Sequence, residues 1–279
     1  MLKTKDKWKK TERVVLQLLL LALTVVFLSP LLYMVLNSFK PYSQMLREPW
    51  ALPETFFLDN YIKAFGQMQF FQSFSNSLLI TVVSVLLIVV LGALAAYPIT
   101  RFRNKLTNFL SVYFLIGYMV PTQVLIVQIF SVMKKFNLIN TKTGLIIVYA
   151  AGVSFAVFMY QGFIRSLPID MEESALIDGA KPWQLFWRIV FPLLKPATAT
   201  LVIFQTMWIW NDFVLSSLLL SSRKNMTLLL ELQQCMGEFS LDWSVMLAIM
   251  CIVMLPMVIF YLLMQKQIIA GMTSGAVKG

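Results

Sequence analysis

The residues of this chain that could carry out chemistry are few, and they do not form a catalytic set. Histidine is absent, and the 279 residues include only 13 Asp and Glu and two Cys. The chain therefore lacks the commonest general base and metal ligand. Glu172 and Glu173 are adjacent, but neighbouring residues of a helix point about 100° apart, which does not favour a shared acid/base site. The sequence predicts no catalytic residue and no metal site.

The two glutamates instead begin a short charged loop, residues 172–192, between long apolar runs. Asp170 and Glu173 have the spacing of a capping pair at a helix N-terminus, where acidic residues are favoured, and Gly179 is suited to ending that helix. Pro182 is suited to the first turn of a second helix, which Pro192 is predicted to close. We therefore predict a helix, a glycine corner and a second helix. Apolar residues of the second helix recur at the spacing of one face: Trp183, Phe186, Trp187 and Val190.

Two roles fit this loop on physical grounds alone. Its aromatic residues are typical of a helix that is anchored at the lipid headgroups. Its small residues favour docking of a partner protein, because small side chains let two backbones approach closely. These residues are Ser174, Ala175, Gly179 and Ala180. Both roles stay open on this evidence, with docking favoured.

The elements that position the loop are membrane spans. Hydrophobic residues make up 59% of the chain and the mean hydropathy is +0.76, which is typical of an integral membrane protein. Six apolar runs each approach the ~20 residues that a helix needs to cross a bilayer. We predict spans at residues 14–36, 76–99, 106–131, 143–163, 197–220 and 243–265. The predicted fold class is an all-α integral membrane protein with six transmembrane helices and a cytoplasmic helix-turn-helix loop.

The basic residues predict the orientation. Lys and Arg number 23, and they fall at the ends of apolar runs, which indicates membrane topology and not nucleic-acid binding. With the N-terminus inside, fifteen of the 23 lie on cytoplasmic segments, so both termini and the loop are predicted to be cytoplasmic. The predicted organisation is a cytoplasmic tail at 1–13, a six-span domain at 14–265 that contains the loop within 165–196, and a cytoplasmic tail at 266–279.

The loop resembles the EAA loop of the permease subunits of ATP-binding-cassette (ABC) importers. That pattern is Glu-Ala-Ala, three residues, Gly, nine residues, Ile, one residue, and Leu-Pro. The matching positions here follow Glu172 directly: Glu173, Ser174, Ala175, Gly179, Ile189 and Pro192. Ser174 stands in place of the first Ala, and Phe191 in place of the Leu. The resemblance implies that the loop fits into a cleft of a separate cytoplasmic ATPase and couples its nucleotide cycle to the membrane spans.

The resemblance extends over nearly the whole chain, to the carbohydrate-uptake branch of these permeases and its maltose-transporter-like six-span subunit. The similar segments are FLDNYIKAF at 57–65, NSLLIT at 76–81, LAAYPITRFR at 94–103, NDF at 211–213 and the terminal GMTSGAVKG. In that branch the Gly-rich C-terminal tail reaches toward the ATPase dimer, whereas its composition alone is typical of disorder.

The branch implies a set of partners in a bacterial or archaeal cell (inner) membrane. An extracytoplasmic solute-binding protein delivers a sugar or oligosaccharide, and a second permease subunit pairs with this one, as a hetero-dimer. The ATPase dimer binds ATP and Mg, so no cofactor is expected on this chain, which also lacks the Gly-rich phosphate loop. Membrane lipid covers the spans, and no nucleic acid takes part.

Trp208, Trp210, Asn211 and Asp212 are the candidates for the substrate pathway. Asp212 lies in an apolar run, where a charged group is costly to bury. Aromatic faces beside hydrogen-bonding groups suit a sugar, whose C–H face packs on a ring while its hydroxyls bind donors and acceptors. The alternative is structural: the two polar residues bond to neighbouring helices, and the tryptophans form an interface belt. In that case the partner permease supplies most of the site.

Three rival functions share some of these features. An ABC import permease for a non-sugar solute would carry the same loop. An ion-coupled secondary transporter usually has several ionisable groups within its spans, whereas this chain offers Asp212. An intramembrane enzyme would need a nucleophile with a base, or a metal cluster, and the absence of histidine disfavours both.

Overall fold

A computed structural model describes residues 2–102, 104–238 and 242–276 of the chain. Within these ranges the regular secondary structure is entirely helical. The α-helices are α1 (Leu2–Ser38), α2 (Tyr42–Arg47), α3 (Asp59–Gln67), α4 (Phe70–Arg101), α5 (Lys105–Met119), α6 (Ile126–Lys135), α7 (Lys142–Ala151), α8 (Ser154–Ile164), α9 (Asp170–Ile177), α10 (Pro182–Leu185), α11 (Phe191–Leu193), α12 (Lys195–Trp210), α13 (Val214–Leu219), α14 (Leu228–Glu238) and α15 (Trp243–Ala276). Short 3-10 turns lie at Thr122–Leu125 and Arg223–Asn225, and a π-helical turn lies at Phe186–Val190.

The chain divides into two compact units. One comprises Met1–Gln69 and Leu232–Leu255, and the other comprises Phe70–Glu231 and Pro256–Gly279. The second unit contains α4 to α13 and all of the candidate site residues.

In the first unit, a hydrogen-bonded cluster of polar groups follows the end of α1. Lys40 is completely buried, and its Nζ donates hydrogen bonds to Asn37 Oδ1 at 3.2 Å, to the Glu48 carbonyl at 2.8 Å and to the Pro49 carbonyl at 3.1 Å. Burial lowers the pKa of the Lys40 ammonium. Asn60 on α3 donates to the Lys40 carbonyl at 2.8 Å. These bonds tie α3 to the segment that follows α1 and give this stretch a defined fold.

In the second unit, α4 is the central helix and packs against α7, α8 and α12. Small residues allow the close approach of α4 and α8. A Cβ atom added at Gly92 would lie 2.6 Å from Cβ of Ala156, and Ala93 and Ala96 are completely buried. Small residues at helix interfaces are typical of membrane proteins, where packing and not water exclusion holds helices together.

Four described helices are long and apolar enough to cross a membrane: Glu12–Ser38, Phe70–Arg101, Lys142–Ile164 and Trp243–Gln267. Two bent helix pairs raise the number to six if each counts as one span: Lys105–Met119 with Thr122–Lys135, bent by 91°, and Pro182–Leu193 with Lys195–Trp210, bent by 71°. The prediction of an all-α integral membrane protein is therefore confirmed.

Three predicted spans are not continuous helices. The span at 143–163 divides into α7 and α8 at Gly152 and Val153, although the two helices together remain one candidate span. The span at 106–131 breaks at Val120, whose backbone is extended, because the following Pro121 has no N–H group and disfavours a helical residue before it. The span at 197–220 ends at Trp210, and α13 begins as a separate helix at Val214. The hydropathy pattern did not predict these breaks.

The predicted C-terminal tail, residues 266–279, begins within α15, which continues as far as Ala276. Its composition alone is typical of disorder, but the described part is helical. The last three residues lie outside the described ranges.

Candidate functional site

The loop of the EAA resemblance begins with α9 and turns at Gly179, which has φ of +82°. The N–H of Gly179 donates to the Leu176 carbonyl, and the N–H of Ala180 donates to the Ala175 carbonyl, each at 3.0 Å. This pair of bonds is a Schellman motif, the usual end of a helix at a residue in the left-handed region. A Cβ atom at Gly179 would meet nothing within 4 Å, so the backbone angle and not crowding within the chain favours glycine.

The second half of the loop contradicts one prediction. Pro192 was predicted to close the helix, but the helical path runs through the π turn at Phe186–Val190 and continues to Leu193. Proline is tolerated here because Pro192 lies in the first turn of α11. The sharp bend follows at Leu194, before α12. Ile189 is half-buried against the apolar core, whereas Pro192 is exposed.

The four residues predicted to share one face of the second helix do not share it. Phe186 and Val190 are buried, Trp187 is half-buried, and Trp183 is 65% exposed. Phe186 packs on Tyr97 of α4, with ring centroids 5.6 Å apart. Trp183 precedes the π turn and is the exposed member of the four, although its ring contacts that of Trp187 with centroids 5.4 Å apart.

Glu172, predicted to belong to the coupling surface, is directed inward. Its side chain is 8% exposed, and Oε1 accepts a hydrogen bond from Nε of Arg101 at 2.8 Å and lies 2.6 Å from the second guanidinium nitrogen. Its Oε2 accepts from the Tyr97 hydroxyl at 2.8 Å. Arg101 also donates to the Leu167 carbonyl at 3.2 Å. Glu172 thus attaches the loop to the end of α4, and it is not available to a partner.

The other residues of the EAA pattern divide between the inside and the outside of the loop. Glu173, Ser174 and Gly179 are exposed, whereas Ala175 is 9% exposed and belongs to the apolar core. Sequence reasoning missed Tyr97 and Arg101. Both lie in the LAAYPITRFR segment, where Arg101 counted only as a topology signal.

Large apolar side chains remain exposed on the outer side of the loop. Ile177 is 85% exposed, and the others are between 46% and 65% exposed: Ile169, Met171, Leu176 and Trp183. We call these five residues the outer surface of the loop. A contiguous set of exposed apolar residues beside charged ones is typical of a surface that binds another protein or lipid.

The four candidate pathway residues do not form one site. Asp212 precedes α13, and its Oδ2 accepts hydrogen bonds from the Tyr149 hydroxyl at 2.7 Å, the Leu215 N–H at 3.1 Å and the Ser216 N–H at 3.3 Å. The bond to Tyr149 on α7 is of the kind expected in the structural alternative considered from the sequence. The two N–H bonds cap α13, which that alternative did not include. Asn211 donates to the Met207 carbonyl of its own helix at 2.8 Å.

The two tryptophans lie in different surroundings. Trp210 contacts Phe74, with ring centroids 5.9 Å apart. Trp208 contacts Tyr149 edge to face at 5.8 Å and lines a cavity of about 740 Å³, whereas Trp210 does not line it. Within the described part of the chain, Trp208 is the only one of the four candidates that lines this cavity.

The described residues hold no group of three or more Cys, Asp or Glu that could bind a metal ion. Neither Cys235 nor Cys251 forms a disulfide in the described part of the chain. Within the described part of the chain, the polar groups therefore offer hydrogen bonds and one buried ion pair, and no assembled catalytic or metal site.

Comparison with known proteins shows the family to which this chain belongs. Residues 88–273 match the family model of the binding-protein-dependent transport system inner membrane component. The chain belongs to this family. The matched region of this inner membrane component includes the loop, the Glu172–Arg101 pair and all four pathway candidates. The resemblance to a carbohydrate-uptake ABC permease is thereby confirmed.

Relatives match along most of their length. The chain is 33% identical over 268 residues to the probable starch degradation products transport system permease protein AmyC of Thermoanaerobacterium thermosulfurigenes, which covers 96% of this chain and 97% of that protein. It is 36% identical over 232 residues to the melibiose/raffinose/stachyose import permease protein MelC of Bacillus subtilis (strain 168), covering 82% and 84%.

A crystal structure of another transporter contains a chain with a similar fold. A chain of a bacterial ABC transporter involved in the import of the acidic polysaccharide alginate matches with a TM-score of 0.81. The match covers 91% of this chain and 95% of that one, at 21% sequence identity. At that identity, the likeness shows the fold alone.

Proposed function

We propose that this chain is a permease subunit of an ATP-driven ABC importer and forms part of the translocation pathway for a sugar or oligosaccharide. The observation that carries the proposal is a helical loop with an apolar outer surface that is attached by a buried ion pair to a membrane span. Membership of the binding-protein-dependent family and the two relatives named for starch products and for melibiose, raffinose and stachyose support the carbohydrate assignment.

The outer surface of the loop is the proposed contact with the ATPase. Ile177 and Trp183 are its most exposed members, on either side of the glycine corner. Large apolar and aromatic side chains of this kind contribute most of the binding energy of protein interfaces. Glu173 and Ser174 add polar groups at its edge, as the EAA resemblance implies. Gly179 keeps the corner narrow, because it presents no side chain to the partner.

The buried pair is the proposed link between the loop and the spans. When the ATPase moves the loop, the bonds from Glu172 to Arg101 and Tyr97 transmit the displacement to the end of α4. That helix packs against α7, α8 and α12, so its movement is passed to the helices around it. This is one route by which nucleotide-driven closure could turn the pathway from inward-facing to outward-facing.

The remaining parts of the proposal concern partners and location. The importer would contain a second permease subunit, as a hetero-dimer, a cytoplasmic ATPase dimer that binds ATP and Mg, and an extracytoplasmic solute-binding protein. The chain would be a multi-pass protein of a bacterial or archaeal cell membrane, in contact with lipid, with both termini and the C-terminal tail on the cytoplasmic side. The proposed role of the subunit is transport without catalysis.

The rival with a structural argument is an ion-coupled transporter that uses Asp212. The bonds to Asp212 weigh against it, because three donors occupy the same carboxylate oxygen and cap α13. An import permease for a non-sugar solute remains the alternative within the family.

The test is co-purification followed by transport. We expect tagged wild type, extracted in a mild detergent, to bring an ATPase and a second permease, which mass spectrometry identifies. Gly179→Asp should insert normally but lose the ATPase. Gly66→Asp is the matched control, because Gly66 is also exposed with nothing within 4 Å of an added Cβ. Wild type that comes alone and transports in vesicles under an ion gradient, without ATP, would replace the importer proposal by the secondary transporter.

A further inference from the structure

The cavity that Trp208 lines has the size and position of a ligand site. Its volume is about 740 Å³, within the roughly 300–1,000 Å³ that is usual for small-molecule pockets. It lies beside the broken span, where Val120 and Thr122 line it on either side of Pro121. Transporters often form substrate sites where a membrane helix is interrupted, because the free backbone groups there can be satisfied by solute or water.

The lining of this cavity is mostly apolar, and the polar groups that it contains are uncharged. No Asp, Glu, Lys or Arg of the described residues lines it. Hydroxyl and amide groups do, from four different elements: Thr122, Tyr149, Ser154 and Gln205. Neutral donors and acceptors suit a solute with many hydroxyl groups and no net charge.

Gln205 is the most informative of these residues. It is 7% exposed and lines the cavity. Most polar groups in protein interiors are hydrogen-bonded to protein or to water. An amide that lines a cavity can therefore bond to a solute or to water there.

Trp208 provides the second part of a sugar site. It keeps 48% of its surface exposed although it lies on the same helix as Gln205 and contacts Tyr149 only at the edge of the rings. A tryptophan ring is the largest apolar face available for the C–H groups of a sugar. The two residues are three positions apart on α12, which places them on neighbouring parts of one helix face.

We propose that this subunit itself holds a neutral saccharide unit in this cavity, with the Gln205 amide bonding its hydroxyls and Trp208 packing on its C–H face. The inference rests on the proposed function, and it goes further in naming a site within this chain and a preference for uncharged sugars. The absence of a lining cation among the described residues gives an acidic saccharide no counter-charge there.

The experiment uses the whole importer, with its partner permease, ATPase and binding protein, in proteoliposomes. ATP-driven uptake is measured for two neutral trisaccharides, maltotriose and raffinose, and for acidic trigalacturonate. Gln205→Leu should reduce uptake of the neutral sugar that wild type transports faster by about five-fold, the value of one neutral hydrogen bond. Trp208→Ala should reduce it by about ten-fold. Gln17→Leu, the same change at an exposed position of α1, is the control and should transport as wild type does.

Thermal stability separates a solute-binding amide from a structural one. Gln205→Leu replaces an amide that lines the cavity by an apolar side chain of nearly equal volume, so the sugar-free variant should melt at or above the wild-type temperature while uptake falls. A lower melting temperature together with the lost uptake would make Gln205 a structural residue and overturn the inference. Unchanged uptake in both variants would also overturn it, with the importer proposal left standing. Wild type without ATP-driven uptake of either neutral sugar would remove the proposed function and this inference together.

Discussion

Glu172 and Asp212 are two of the acidic side chains that lie among apolar helices of this permease, and the structure holds them in different ways. Glu172 bonds to a guanidinium and a hydroxyl on α4, 71 and 75 residues earlier in the chain. Asp212 has hydrogen-bond donors and no cation, and two of its three side-chain bonds cap the helix that follows it. The bonds of Glu172 join two elements that are far apart in the chain, whereas two of the three bonds of Asp212 stabilise the start of the adjacent helix. Loss of the first should therefore affect coupling, whereas loss of the second should affect local stability.

Breaking the Glu172 pair should have the largest effect. Arg101→Met leaves a buried carboxylate without its cation. This should lower the free energy of unfolding by about 3–5 kcal/mol. The double variant Arg101→Met with Glu172→Leu removes both charges and should lose much less, about 1 kcal/mol. Unfolding in mixed detergent micelles measures both.

The double variant then sharpens the comparison through transport. We expect it to bind the ATPase but to transport less sugar per ATP hydrolysed, because the link from the loop to α4 is missing. Arg101→Lys, which keeps the positive charge, is the control. A double variant with wild-type coupling would show that the ion pair serves stability alone.

The Asp212 cap should have the next largest effect. Asp212→Ala leaves the Leu215 and Ser216 N–H groups and the Tyr149 hydroxyl without this acceptor, at a cost of about 1–2 kcal/mol of unfolding free energy. Asp212→Asn can still accept these bonds and should stay close to wild type in stability and in uptake. An Asn variant that is fully stable but transports nothing would restore the ion-coupled function for this residue.

The glycine corner should have a smaller effect on stability. Gly179→Ala places a Cβ atom on a residue with φ of +82° and should cost about 1 kcal/mol of unfolding free energy. Gly179→Asn should cost less, because asparagine adopts the left-handed region more readily. Thermal melts in detergent compare the two. Equal melting temperatures for Ala and wild type would mean that the corner relaxes to another backbone conformation.

The outer surface should have the smallest effect on stability. Trp183→Ala removes a side chain that is 65% exposed and should change the free energy of unfolding by no more than about 0.5 kcal/mol. Its affinity for the ATPase should fall at least about ten-fold, because exposed tryptophans commonly dominate an interface. Titration of the ATPase onto the permease in nanodiscs measures this affinity. An unchanged affinity would place the contact elsewhere.

The comparison also shows what the sequence could predict. The helix, the glycine corner and the second helix follow from local rules, because Gly179 and Pro182 act on their own backbone and neighbours. The contact of Glu172 with Arg101 could not be predicted in this way. It depends on how α9 packs against α4, and the sequence assigned both residues to exposed roles.

Helix breaks and turns within apolar segments were the other failures. The change at Trp210 comes from the Asp212 cap, which a hydropathy pattern does not detect because Ile209 and Trp210 before it and Phe213 and Val214 after it keep the run apolar. The exposure of Trp183 was not predicted because apolar spacing indicates a shared helix face and not which of its members is covered. Of the candidate pathway residues, Trp208 lines the cavity. The sequence did not indicate Gln205, which we propose as a sugar-binding residue, because one glutamine in an apolar helix gives no recognisable spacing.

The two residues of the Glu172–Arg101 ion pair are synthesised at different times. The ribosome completes Arg101 71 residues before Glu172, so the arginine reaches the end of α4 while its partner does not yet exist. On the proposed orientation, water at the cytoplasmic surface solvates the guanidinium during this interval, and its charge retains that end of the helix inside. If the proposed orientation and coupling role hold, Arg101 orients the span during biogenesis and anchors the loop afterwards. On that proposal, a substitution at this position should act twice, first on insertion and later on coupling.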